Sequence, residues 1–245
     1  QSTVAVNKNW FLQLGVTLGS DTAFWNRNAR VTNPYPNPLY PGNSFRKDPG
    51  SRPSLTACAR YQTDSANDAL YLCADAINNG VWGYNNLQWY GMTYYHRFNE
   101  RWHISLETYD LHQDDVPNLN NPIAKSALAN GGTPFSTSAF RFNAPNAASC
   151  KSTTVLRCRA SAVAGLGYVN YQFSPLDNLT FRGEFYDDKQ GQRTGTATRY
   201  LDFAIGVQHW FSPQIEIRPE LAYYRSLDLP AFDGNSNRGI APSKN

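Results

Sequence analysis

The chain lacks any run approaching the roughly 18 consecutive apolar residues of a membrane-spanning helix, which excludes helical membrane proteins. It also lacks a lysine or arginine run. Its 22 basic and 19 acidic residues are well mixed and leave a formal net charge of +3, which argues against a nucleic-acid footprint. Cysteine occurs four times, never as CxxC and never near the four histidines, so neither a structural zinc site nor any other metal or cofactor is expected. The sequence begins at Gln1 rather than Met and shows no signal peptide, and it reads as a mature, trimmed or partial chain.

What the chain has is aromatics and alternation. It carries 15 Tyr, 13 Phe and 6 Trp among 245 residues, a length that sheets closed into barrels often reach as one domain. A negative mean hydropathy does not exclude a membrane barrel, whose strands are apolar on one side alone. Trp10 to Leu18 alternates cleanly, with Trp10, Leu12, Leu14, Val16 and Leu18 on one face. The same pattern returns in residues 162–173, 179–186, 200–211 and 215–224.

Residues 84–113 read as two strands around a tight turn at Asn99-Glu100. With those two as the loop, Tyr95 falls opposite Ile104, Thr93 opposite Leu106 and His96 opposite His103. The apolar face then holds Trp89, Trp102, Ile104 and Leu106. Its polar counterpart holds Tyr90, Met92, Tyr94, His96, His103, Ser105 and Glu107.

Short turns at Asn99-Glu100, 174–178 and 212–214 alternate with long segments at 19–83, 114–161 and 187–198, and all the short turns fall at one end. Such asymmetry marks an outer-membrane barrel with periplasmic turns and extracellular loops. The cysteines form two local pairs, Cys150 with Cys158 in a loop-like segment and Cys58 with Cys73 on the two arms of a small hairpin, residues 55–61 and 69–74, inside the elaborate loop 19–83, and both read as extracellular disulfides of an oxidising compartment. Trp10, Phe98, Trp102, Phe173 and Phe211 all sit at the turn end, as a membrane-interface girdle would.

The expected fold is therefore all-β: one antiparallel up-and-down transmembrane β-barrel domain over residues 1–245. Seven spanning strands are counted. Because single-chain bacterial barrels have even strand numbers, at least one closing strand is expected after residue 245, and whether others precede residue 1 stays open. Pro219 predicts a bulge, since proline cannot donate to a ladder.

The blocks YNNLQWYGMTYYHRFNERWHISLE (84–107), LTFRGEFYDDKQGQRTG (179–195) and IRPELAYYRSLDLPAFDG (217–234) resemble the OmpL-like β-barrel porins of bacterial outer membranes. The resemblance spans most of residues 9–234. It implies an outer-membrane barrel with further strands before the chain and an aromatic-terminated strand after it.

Candidate pore-lining residues are Tyr94, His103, Glu107, Arg182, Glu184, Asp202, Glu216, Arg218 and Glu220, with Arg101 as a further inward charge. The R-x-E pairs Arg182/Glu184 and Arg218/Glu220 put mixed charge on one face, suited either to a polar constriction or to a self-paired wall. Asp187, Asp188, Asp228 and Asp233 at the loop end are turn formers in the first instance and a Ca²⁺ cluster in the second. His96, His103, Ser105 and Glu107 share a face but stand about 7 Å apart along a strand, too far for a catalytic relay, so no enzyme is expected. Three function classes stay open: an outer-membrane channel for small hydrophilic solutes; a non-conducting barrel whose disulfide-pinned loops bind a surface partner; and a soluble ligand-binding barrel. The first two imply outer-membrane lipid and lipopolysaccharide as surroundings, and leave open a homo-oligomer.

Overall fold

The computed structural model describes residues 1–18, 24–27, 50–129, 147–235 and 238–245. Among them, eleven strands form one antiparallel sheet in chain order. They are β1 (Ser2–Ala5), β2 (Trp10–Thr17), β3 (Ser54–Gln62), β4 (Asp68–Ile77), β5 (Gln88–Arg97), β6 (Trp102–Pro117), β7 (Arg157–Ser174), β8 (Asp177–Asp188), β9 (Arg199–Ser212), β10 (Ile215–Ile217) and β11 (Glu220–Ser226). One helix, α1 (Pro122–Ala129), lies between β6 and β7. Each strand pairs with its sequence neighbour, and β10 and β11 both pair with β9. Apart from β10 and β11, which follow one another along β9, consecutive strands pair antiparallel, the up-and-down arrangement that alternation and turn spacing predicted.

Period two sorts the side chains. Leu12, Leu14, Val16, Leu72, Leu106, Val169, Phe181, Phe203 and Leu221 are exposed on one face. Glu107, Arg182, Glu184 and Asp202 fall on the other, because the ladder sets Leu106 opposite Gly167 and Phe181 opposite Ile205. An apolar face left uncovered along the sheet is what a lipid-facing wall requires.

Four expectations change. Residues 19–83 are not one loop, since β3 and β4 lie within them and are full members of the sheet. The middle of their apolar face is the small residues Ala57, Ala59 and Ala74, between Leu55, Leu70, Leu72 and Tyr61, so the alternation is fainter in the sequence than in β2. Two strands added together preserve the up-down parity, so the assignment of turn and loop ends is unaffected. The remainder of that segment, 19–23 and 28–49, lies outside the described residues, as do 130–146 of the segment 114–161, whose two ends are strand rather than loop.

Second, Cys58 and Cys73 do bond, but as directly opposed residues of β3 and β4 rather than in an extracellular loop. Cys150 and Cys158 bond at the loop end as expected.

Third, the register of β5 against β6 is shifted by one. His96, not Tyr95, lies opposite Ile104, and Tyr94 lies opposite Leu106. The cause is Asn99: its Oδ1 accepts the backbone N–H of Arg101 at 2.9 Å and of Trp102 at 3.0 Å, while the N–H of Phe98 donates to the carbonyl of Trp102 at 3.0 Å. That side chain makes a three-residue turn where two were expected, and a slip of one residue flips the whole strand. Tyr90, Met92, Tyr94 and His96 therefore stand on the apolar face, and Trp89, Thr93 and Tyr95 on the polar one.

Fourth, the register shift on the last strand falls between Ile215 and Glu216, beside the turn, and not at Pro219. Ile217 opposite His209 and Glu220 opposite Gly206 keep one register across the proline. The Pro219 carbonyl accepts the Val207 N–H at 3.1 Å but cannot return the bond, so the strand divides there without slipping.

At the turn end of the apolar face the cross-strand pairs alternate along the sheet. Trp10 faces Tyr61, Asp68 faces His96, Trp102 faces Tyr171, and Asp177 faces His209. The Trp/Tyr rings lie 5.1 and 4.4 Å apart, and both His Nδ1 to Asp Oδ1 distances are 2.6 Å. In both halves the histidine precedes a girdle phenylalanine by two residues, as His96/Phe98 and His209/Phe211. The four strands β2 to β5 are thus matched, position for position at this end, by β6 to β9. Each pair joins the ends of two strands whose covalent connection lies at the far, loop end.

Because no free cysteine is found among the described residues, a single introduced thiol reports its own face. In liposomes, Thr93→Cys is expected to react with a charged, membrane-impermeant methanethiosulfonate at least about tenfold faster than Met92→Cys, since the thiolate needs water. Faster reaction at position 92 would restore the two-residue turn and contradict the register.

Candidate functional site

The polar face is charged most densely where β8, β9 and β11 run side by side. Arg182 lies opposite Ala204, which in turn lies opposite Ala222. These small side chains leave the guanidinium free to cross the strand. Its Nη2 is 2.6 Å from Asp202 Oδ2 and 3.4 Å from Glu220 Oε1. One guanidinium therefore ties β8, β9 and β11 together across the wall. Arg218 bonds Glu216 on its own strand. On β6, Glu107 accepts from Thr93 Oγ1 at 3.4 Å, and His103 packs on Tyr95 at 5.5 Å.

The structure thus brings His103, Glu107, Arg182, Glu184, Asp202, Glu216 and Glu220 onto one face, with Arg218 held beside Glu216. It moves Tyr94 to the opposite face, where its hydroxyl donates to Asp68 Oδ1 at 2.7 Å. His96 is likewise separated by the sheet from His103, Ser105 and Glu107. Trp10, Phe98, Trp102, Phe173 and Phe211 are all exposed on the apolar face at the turn end.

Several polar-face residues escaped the sequence reading. Arg60 on β3 sits over the rings of Phe11 at 4.6 Å and Tyr71 at 5.6 Å, a cation between two aromatic faces. Trp89 packs on Tyr109 at 5.8 Å. The period-two pattern Leu55, Ala57, Ala59, Tyr61 was the available signal for the first. For the second it was the preference of Asn99 for bonding its own turn.

At the loop end, connections fold onto the wall. Asp188, almost fully buried, accepts the backbone N–H groups of Gln192 at 3.0 Å, Arg193 at 2.8 Å and Thr194 at 2.7 Å. Gly191 and Gly195 supply the positive φ that this loop needs, at 65° and 87°. Gln192 then bonds Gln113, itself fully buried on the polar face of β6. Residues 189–195 are so drawn against the polar face rather than away from it. Behind them Trp82, Tyr84 and Ala124 of α1 form a small apolar core with Leu128 and Leu156. Arg199 donates through Nε and Nη2 to Asp228 at 2.9 and 2.7 Å and holds that carboxyl down to about 2. The lowered value means the latch is fully formed above the ordinary carboxylate range and opens only as pH falls through about 2. Asp188 and Asp228 spend their oxygens on the loop and on Arg199, and no group of three metal-ligating side chains occurs among the described residues.

A family model described as "Putative beta-barrel porin-2, OmpL-like" matches residues 1–243, and the chain belongs to that family. No curated protein matches the sequence. Among solved structures, a porin refined at 1.8 Å resolution is similar at 10% identity and a TM-score of 0.49, over 93% of this chain and 55% of its own. A Pseudomonas aeruginosa FadL homologue is similar at 14% identity and a TM-score of 0.42, over 96% of this chain and 60% of its own. The chain spans less than two thirds of the length of either structure.

Asp188→Ala strips three loop amides and the Thr194 hydroxyl of their acceptor. At about 1 kcal/mol or more for each buried bond left unmade, opening of residues 189–195 becomes easier by roughly 3 kcal/mol. Trypsin is then expected to cut at Lys189 or Arg193 of the folded variant under conditions where the parent chain resists. Equal resistance would show that the loop is held by other contacts.

Proposed function

We propose that this member of the porin-2 family forms, in the bacterial outer membrane, a water-filled passage through which small hydrophilic solutes diffuse. The observation that carries the reading is the division of a single sheet into two chemically distinct faces. One presents apolar and aromatic side chains to its surroundings along the sheet from β2 to β11, mostly Leu, Val, Ile and Phe, with Tyr90 and Met92 in their place on β5. The other collects His103, Glu107, Arg182, Glu184, Asp202, Glu216, Arg218 and Glu220. Charges in hydrocarbon are expensive, so a face carrying this many belongs to water. Family membership supports a porin-type channel in general terms.

On this reading the pore-lining set is the predicted one without Tyr94 and with Arg60, Thr93 and Tyr95 added. The girdle marks the periplasmic interface, and residues 189–195 narrow the extracellular mouth. Carboxylates outnumber guanidiniums along the face, which favours cations modestly.

A second reading takes the loop end as the functional part: a barrel that does not conduct and binds a partner at its surface. Its support is the buried cluster of Trp82, Tyr84 and Ala124 and the Cys150–Cys158 bond, which give the loops a core of their own.

Purified protein in a planar bilayer separates the two. Stepwise conductance is expected, with a reversal potential in a KCl gradient displaced towards cations, and with that displacement reduced or inverted in Glu107→Lys. A silent bilayer over a range of voltages, with protein shown to be inserted, would sink the channel reading and leave the surface-binding one.

A further inference from the structure

A separate feature lies on the polar face near the loop end. Glu184, Tyr186, Tyr200, Asp202, Tyr224 and Phe232 line a cavity of about 250 Å³. Tyr200 stands between two other rings, 6.4 Å from Tyr186 at 44° and 5.9 Å from Phe232 at 75°. Three aromatic faces thus turn around one corner, and Tyr224 adds a fourth ring to the lining. Both charged residues of the lining are carboxylates.

Those carboxylates differ in what they already hold. Asp202, 6% exposed, gives Oδ2 to Arg182, while its buried Oδ1 has no hydrogen-bond partner among the described residues. Glu184 makes no ion pair among the described residues, and its charge reaches Tyr109 on the same face. Two guanidiniums act on the lining, Arg182, shared with Glu220 as well as Asp202, and Arg193, whose charge is felt at Tyr186. Neither lines the cavity. The uncompensated charge at the cavity itself is negative.

We propose that this cavity is a binding site for a small organic cation of the quaternary-ammonium class. Aromatic faces attract a cation most when it sheds little water on approach, which favours a methylated ammonium over a hydrated metal ion. A metal ion would also need converging ligands, and no such cluster occurs among the described residues. The volume lies just below the roughly 300–1,000 Å³ of sites for drug-sized molecules, so the ligand is small. Glu184 neutralises the ligand's charge at contact and Asp202 adds to the field behind it. The proposal rests on the channel reading in that a solute must reach the polar face, but binding at equilibrium does not require conduction.

The test is isothermal titration of the full chain, folded in detergent micelles, with choline chloride at constant ionic strength. Its uncharged isostere 3,3-dimethylbutan-1-ol and glucose serve as controls. Saturable binding of choline is expected, at least about tenfold tighter than of the isostere, the equivalent of about 1.4 kcal/mol. Glu184→Gln, which breaks no ion pair, and Phe232→Ala, at the rim, are each expected to weaken choline several-fold while the isostere is unchanged by the first. Equal binding of choline and isostere, tighter binding of glucose, or full choline binding in both variants would overturn the proposal. Choline binding by a protein that never conducts would remove the channel reading and leave the site. Conductance without choline selectivity would do the reverse.

Discussion

A peptide group in hydrocarbon has no water to bond, so a sheet in a membrane must satisfy its N–H and C=O groups strand against strand. Everything else here depends on that ladder. Its period of two decides which side chains meet lipid, and its register decides which residues stand together on either face. Where the ladder is disturbed, at Leu55/Ala57 in β3, Gln113/Val116 in β6, Gln172/Ser174 in β7, Ile215/Glu216 and Pro219, the disturbance sits near a strand end or is held in register by neighbouring pairs. The alternating Trp/Tyr and Asp/His pairs at the turn end act on the same constraint. They bind together strand ends that the chain itself joins only at the distant loops.

How much of this the sequence discloses varies with side-chain size. β2, β7, β8 and β9 were legible because Leu, Val, Ile and Phe recur at alternate positions. β3 and β4 were legible only as a small hairpin within a loop and not as full members of the sheet, because alanines at several of those positions and the Asn, Pro and Gly around them resemble loop composition. The face of β5 was misread for a different reason. Its residues alternate Tyr90, Met92, Tyr94 against Trp89, Thr93, Tyr95, so both faces are plausible in lipid, and the one side chain of Asn99 settles the matter by adding a residue to the turn. The same slip moved Tyr94 out of the polar set while His103 and Glu107, anchored on the unambiguous β6, stayed in it. The charges of β8 and β9 were readable individually. That Arg182 reaches over Ala204 to Glu220 was not, since it depends on which strands become neighbours.

The mouth adds what alternation cannot. Asp188 gathers the amides of its own loop, Gln192 carries that loop to Gln113, and the aromatic cavity forms where the folded loop, β9 and the segment around Phe232 converge. A wall of mixed charge, a narrowed mouth and an electronegative aromatic corner would together make a passage that discriminates among small solutes more than an open cylinder does. The family and the fold define the barrel type, while on the channel reading selectivity would be set by these few side chains.

The central claim is that β5 and β6 turn Trp102 to lipid and Trp89 to water. Fluorescence of single-tryptophan variants in bilayers containing brominated acyl chains measures this directly, because bromine quenches only an indole it can approach. The variant retaining Trp102 is expected to be strongly quenched and the variant retaining Trp89 nearly unaffected. Strong quenching of Trp89, or none of Trp102, would contradict the assignment of faces from which the rest follows.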